Sequence, residues 1–257
     1  MGLLGRSLGR HGAGYLPDPT DPRDRDIDRL GLASRQLPIT TSLRPRGLVP
    51  FDQGRTNSCV GNAIAQAVRI RQAHRAGWEL PEPLSRLAIY WNARAYHGGT
   101  KQDLGTHIRM AIRGLQHYGA PPEHVWPFDV GLLGRVNRKP SLRSYQLGHD
   151  FGGVRGYYRI FDTGERKIVA IKAALASGYP VVAGWLVDAE FQRDDGPSVI
   201  DVVTGTTIGG HAMLLDGYAG DAFDIVNSWG TAWRAGGVAT VTSAFVMKAI
   251  DVWAIDC

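Results

Sequence analysis

The apolar and polar positions divide the chain into three stretches. Residues 1–36 carry Pro17, Pro19 and Pro22 close together. The run from Asp21 to Arg29 alternates charge and offers little to bury, which reads as a leader or extended arm. From Thr56 the apolar positions Val60, Ile64, Ala67 and Val68 recur at helical spacing, with Ser58 placed to cap the helix. Further helices are predicted over 84–95 and 106–118, the latter ended by Gly119, and Pro121, Pro122 and Pro127 mark a connecting loop. Another helix is predicted over 165–177, stopped by Gly178. Strands follow over 180–187, 199–204, 212–218, 223–227 and 237–242. A helical half followed by a strand half predicts an α+β fold. No internal repeat is visible.

Composition narrows this only slightly. A chain of 257 residues with 44% hydrophobic and 21% charged residues can bury a sizeable core as one large or two small domains. The net charge of +5 rests on arginine, since the lysines are Lys101, Lys139, Lys167, Lys172 and Lys248. No Lys/Arg block accompanies it, so the expectation is a mildly basic surface and no nucleic-acid partner. No apolar run approaches a membrane span. The segment from Met1 to Ser7 lacks the apolar core of a secretory signal, and Arg6 stands where myristoylation wants Ser or Thr. The expected location is the cytoplasm, or export without a recognisable signal. Of the 2 cysteines, Cys257 ends the chain and is expected to be a free, exposed thiol.

Candidate chemistry centres on Cys59. Gln53 precedes it by six residues, and Gly209-Gly210-His211-Ala212 and Asn227-Ser228-Trp229-Gly230 follow far downstream. A thiol is a weak nucleophile until it loses its proton, and a helix start and a nearby imidazolium both favour the thiolate. Cys59 and His211 would then face each other across a cleft between the two halves. His211 opens an apolar strand and Asn227 ends the next, so the Asn227 amide oxygen can accept from one imidazole nitrogen and leave the other toward sulfur. Gln53, with the Cys59 backbone N–H, can hold a developing oxyanion. Trp229 is placed to cover the His–Asn hydrogen bond. The other seven histidines, His11 in the leader among them, read as surface or satisfied groups. No spacing suits a metal, a phosphate or a dinucleotide, so no cofactor is expected.

Together Asp52-Gln53-Gly54, Cys59, Gly210-His211-Ala212 and Asn227-Ser228-Trp229-Gly230-Thr231-Ala232-Trp233 resemble the papain-like (C1) cysteine peptidases, over residues 37–257. The leader, from Gly14-Tyr15-Leu16-Pro17-Asp18 to Arg23-Asp24, is similar to that of bacterial members. The resemblance implies a two-lobed fold with a helical N-terminal lobe, an antiparallel sheet or barrel as C-terminal lobe, and a peptide-binding cleft between them. It implies Cys59 as nucleophile, His211 as base and acid, Asn227 as orienter and Gln53 as oxyanion donor, with Gly210 and Trp229 at the substrate. Trp229 and Trp233 are implied as structural neighbours of the site. The family's Cys-Gly-Ser-Cys-Trp reads Thr56-Asn57-Ser58-Cys59-Val60, which removes a cysteine and its disulfide. Arg234 stands where glycine is usual, and the long Cys–His spacing suggests an insertion within 130–160 or 188–207.

The leading reading is a cysteine endopeptidase acting on a peptide or protein through a thioester acyl-enzyme. Two alternatives stay open: another thiol acyl transfer such as amide ligation or deconjugation, and a non-catalytic peptide-binding module on the same fold. Residues 1–36 are expected either to occupy the cleft as an intramolecular pro-segment or to lie on the surface as an arm. Gly210 supplies no charge to the specificity pocket beside His211, which favours an apolar occupant.

Overall fold

The structure is a computed structural model describing residues 11–32, 36–131, 134–150 and 153–257. In chain order come β1 (Tyr15–Leu16), a 3-10 turn (Ile27–Leu30), β2 (Thr40–Ser42), α1 (Cys59–Arg75), α2 (Arg86–Ala95), β3 (Thr106–His107), α3 (Ile108–Tyr118) and α4 (Leu142–Gly148). Then follow β4 (Gly156–Arg159), α5 (Gly164–Ala176), β5 (Val181–Asp188), β6 (Val199–Ile200), β7 (Thr207–Ala219), β8 (Ala222–Val226), β9 (Val238–Thr242), α6 (Ser243–Met247) and β10 (Asp251–Asp256). This is an α+β architecture, helices first and a large mixed sheet after, as the resemblance implies.

The sheet runs β4-β10-β5-β7-β8-β9-β6, and β2 joins at β7. Strands β5 and β7 form its middle, and β5 is buried on both faces except at Leu186. The reason is that α1 packs on β5, β7 and β10, while α5 also packs on β5 and β7. A strand covered on both sides reads as a continuous apolar run, as 180–187 does. Helix α1 also packs on α2 and α3. It is therefore the shared wall of the two halves, and 13 of its 17 residues are buried.

The helix ends follow local chemistry. The Ser85 hydroxyl accepts from the Ala88 N–H at 3.2 Å and caps α2, which therefore begins after 84. Gly119, at φ +63°, ends α3, and Gly178, at φ +84°, follows α5. Three expectations change. Ser58 makes no side-chain cap bond; its hydroxyl instead meets Thr56 Oγ1 at 2.7 Å and accepts from Asn62 Nδ2 at 3.0 Å. Thr106 and His107 form the short strand β3 before α3 rather than its first turn. Cys257 is free but buried, because β10 carries it under α1, where its thiol points at the Val68 carbonyl at 3.7 Å. Burial pushes that thiol up to about 12.

Candidate active site

Cys59 is the first residue of α1 and is fully buried. Its sulfur lies against the backbone N–H groups of Ala212, Gly14 and Val60, all of which favour the thiolate. Burial opposes them and wins, pushing the thiol up to about 11. The Ala212 contact sets the sulfur beside His211, the preceding residue of β7.

His211 is fully buried, and its Nε2 donates to Asn227 Oδ1 at 2.6 Å. Asn227 follows β8, and its Oδ1 also accepts from the Ser228 N–H at 2.7 Å, which fixes the amide. Among the described residues His211 Nδ1 has no hydrogen-bond partner. With the proton on Nε2, Nδ1 is the basic nitrogen. Burial pushes the imidazole down to about 4, and the Asn227 bond only partly offsets that.

Gln53 is fully buried. Its Oε1 accepts from Ser228 Oγ at 2.7 Å, which turns Nε2 toward the Thr56 carbonyl at 2.7 Å and the Gly12 carbonyl at 3.2 Å. The segment is pinned by backbone bonds, Gln53 N–H to Ser228 O at 2.8 Å and Gly230 N–H to Phe51 O at 2.9 Å. The segment carrying Gln53 is thus tied to the Asn-Ser-Trp-Gly run.

Trp229 is buried and stacks on His211, with ring centroids 4.3 Å apart and planes at 26°. Trp233 meets Trp229 edge-on at 5.7 Å. Arg234 takes φ +49°, the left-handed conformation that suits the glycine usual there. Its guanidinium then binds the carbonyls of Pro197, Glu190 and Phe191. Val60, replacing the usual aromatic, is fully buried in the core. Among the described residues no group of His, Cys, Asp and Glu could hold a metal ion.

Of the two places expected for residues 1–36, the cleft or the surface, the described part from His11 onward takes the first over these residues. The leader segment from His11 to Leu16 runs through the site. The Gly12 carbonyl oxygen accepts from Gln53 Nε2 and, at 3.3 Å, from Trp229 Nε1. The Gly12 N–H donates to Gly54 O at 3.2 Å, and Gln192 Nε2 donates to the His11 carbonyl at 3.0 Å. His11 is buried, stacks on Trp229 at 4.9 Å and meets Asp194 at 3.0 Å. Gly14 bridges Gly210, and β1 pairs in parallel with β3. Gly210 therefore lies against leader backbone, where an added Cβ would sit 2.2 Å from the Tyr15 carbonyl oxygen. The signal that could have decided between the two was Gly12-Ala13-Gly14-Tyr15, three small residues suited to close approach and then a large one.

Beyond the cleft, the leader is anchored by ions. Arg109 binds Asp24 at 2.7 Å and the Pro19 carbonyl at 2.6 Å, and Arg159 reaches Asp24 at 3.1 Å. Asp18 accepts from Trp253 Nε1 at 2.8 Å and from the Arg109 N–H at 3.1 Å. Burial, then the nearby Asp251 charge, pushes Asp18 up to about 7.

No protein-family model matches the chain. A peptidase C1-like protein of Acanthamoeba polyphaga mimivirus, itself uncharacterized, is 34% identical over 95% of this chain and 86% of its own length. Xylellain, a cysteine protease from Xylella fastidiosa, is 30% identical, with a TM-score of 0.85 over 98% of each chain. A cysteine protease of Carica candamarcensis in complex with E-64 shares the fold at 20% identity and a TM-score of 0.66, over 85% of this chain and 98% of its own.

Proposed function

We propose that this chain, which belongs to the papain-like C1 family of cysteine peptidases, is an endopeptidase that works through a thioester on Cys59 and is held closed by its own leader. The observation that carries the reading is leader backbone laid over two of these residues, with the Gly12 carbonyl on Gln53 Nε2 at 3.2 Å and the Gly14 N–H on the Cys59 sulfur. A substrate carbonyl entering the same place meets the same donor.

His211 Nδ1 takes the thiol proton, and the thiolate attacks the carbonyl carbon. Gln53 Nε2 and the Cys59 N–H hold the resulting oxyanion. The imidazolium returns the proton to the amine as the C–N bond breaks, leaving the thioester. Water, deprotonated by the same nitrogen, then releases the acid and restores the thiol. Asn227 acts through His211: it holds the proton on Nε2 and the ring plane in place, and Trp229 shields that bond from water.

The test is intact mass after incubation with an epoxysuccinyl-peptide, alongside cleavage of a protein substrate. The wild type should take one adduct once the leader is displaced, and Cys59→Ala should take none and cut nothing. A Cys59→Ala protein that still cuts would end the reading. A thioester that passes to a labelled amine in preference to water would instead place the protein among ligating enzymes.

A further inference from the structure

The leader leaves a cast of one binding pocket. Tyr15 is buried to 1% exposure, with its ring against Gly184 of β5 and Gly210 of β7. Two glycines make room for it. A Cβ on Gly184 would fall 2.2 Å from the Tyr15 ring, and one on Gly210 2.9 Å from it. Any side chain at either position would close the pocket. Its inner end is Asp251, which pairs with Gly184 across β10 and β5 and is 1% exposed. The Tyr15 hydroxyl donates to Asp251 Oδ2, which also accepts from the Asp18 N–H at 2.7 Å, and Arg159 binds the other oxygen. The pocket opens beside Gly210, one residue from His211 and across the strand pair from Ala212, whose N–H lies on the Cys59 sulfur.

From this geometry we infer that the pocket is a tyrosine-selective subsite: the peptidase prefers substrates that place a phenol there, hydrogen-bonded to Asp251. The inference rests on the peptidase reading above and deepens it. It also replaces the expectation of an apolar occupant, since the polar partner that Gly210 lacks is supplied at the inner end by Asp251.

Three occupants can be compared. Phenylalanine fills the same walls but leaves Asp251 Oδ2 with the Asp18 N–H and no hydroxyl donor at a buried site, and a site built to bond a hydroxyl rejects the analogue lacking it. Lysine or arginine would bring a second cation to a carboxylate that Arg159 already neutralises, with the Lys167 charge also nearby. Aliphatic chains leave part of the ring volume empty. Tyrosine alone meets both the shape and the carboxylate.

The test uses the full chain carrying Tyr15→Ala, which vacates the pocket, and a proteome-derived peptide library with cut sites read by mass spectrometry. One position beside the cut should favour tyrosine over phenylalanine by about tenfold or more, the worth of a hydrogen bond to a buried charge. Cuts that treat the two residues alike, or that favour lysine or arginine, overturn the inference and leave the peptidase reading standing. A library left uncut counts against the peptidase reading instead, and the pocket is then judged on the leader alone. There, Tyr15→Phe should raise the rate of Cys59 alkylation by iodoacetamide about tenfold over the wild type. Equal rates overturn the inference whatever the protein's activity.

Discussion

Gly12→Ala should open the active site. Gly12 is outside the left-handed region, so alanine costs the free leader no backbone strain. In the docked leader the new Cβ would lie 1.7 Å from the Thr56 carbonyl oxygen and 3.1 Å from Gln53 Nε2. The Thr56 oxygen is backbone in the approach to α1 and is itself held by Gln53 at 2.7 Å, so it cannot swing aside. The segment must lift. Lifting it breaks the bonds from Gln53, Trp229 and Gln192 to leader carbonyls and the one from the Gly12 N–H to Gly54. At about 0.5–1.5 kcal/mol each, their loss totals about 2–6 kcal/mol. That corresponds to an open fraction raised about 30-fold to 10⁴-fold. The assay is the rate of Cys59 alkylation by iodoacetamide, followed by intact mass. Gly14→Ala is an independent version, because its Cβ would fall 2.1 Å from the Asn57 carbonyl oxygen. Rates within twofold of wild type in both variants would refute the reasoning, since they would mean that the leader does not limit access to the thiol.

Two further outcomes follow from the same contacts. In the Gly12→Ala background, Gln53→Ala should lower kcat about 10²–10³-fold with KM little changed, as expected for a donor that acts on the oxyanion; an unchanged kcat would remove Gln53 from the mechanism. Asp18 is raised from 3.8 to about 7 when docked, so its contribution to docking is present below pH 4 and lost as pH rises through 7, whereas His211, lowered from 6.5 to about 4, contributes above pH 6.5 and loses it as pH falls through 4. The two offset in the wild type, so in Asp18→Asn the protection factors at residues 12–16, taken against the intrinsic exchange rate at each pH, should fall between pH 7 and pH 4, and unchanged protection factors in that variant would refute the assignment.

The site was legible where one residue type at one spacing carries the chemistry. Cys59 at a helix start, the His211–Asn227 bond and the inward turn of Gln53 each follow from a motif whose parts sit on neighbouring strands or on the first turn of α1. Helices with strong periodicity were legible to within two residues at most ends. What stayed hidden depended on pairing between distant segments. Strand β10 is short and acidic at both ends, yet it lies inside the sheet between β4 and β5 and buries Cys257. Helix α4 has seven residues and too few apolar positions to show a period. The leader reads as polar because its buried groups, Tyr15, Ile27 and Leu32, are far apart and its acids are neutralised by Arg109 and Arg159. Within the alternating run Arg23, Arg25, Asp28 and Arg29 are exposed as the sequence suggests, whereas the Asp24 side chain is a buried ion-pair partner of Arg109 and Arg159.

The same dehydration acts on both members of the Cys59–His211 pair. The leader and the flanking strands bury Cys59 and His211 completely, which raises the thiol to about 11 and lowers the imidazole to about 4. Both changes hold the pair uncharged, so the closed cleft contains a thiol and a neutral base rather than an ion pair. The Ala212 and Val60 N–H groups and the N-terminal end of α1 remain aimed at the sulfur when the leader lifts, while the Gly14 N–H leaves with it. Water entering the cleft removes the largest opposing cause and leaves the favourable ones. Access and activation are therefore a single event at Cys59, and a substitution that opens the leader must raise reactivity per exposed thiol as well as the number of thiols exposed.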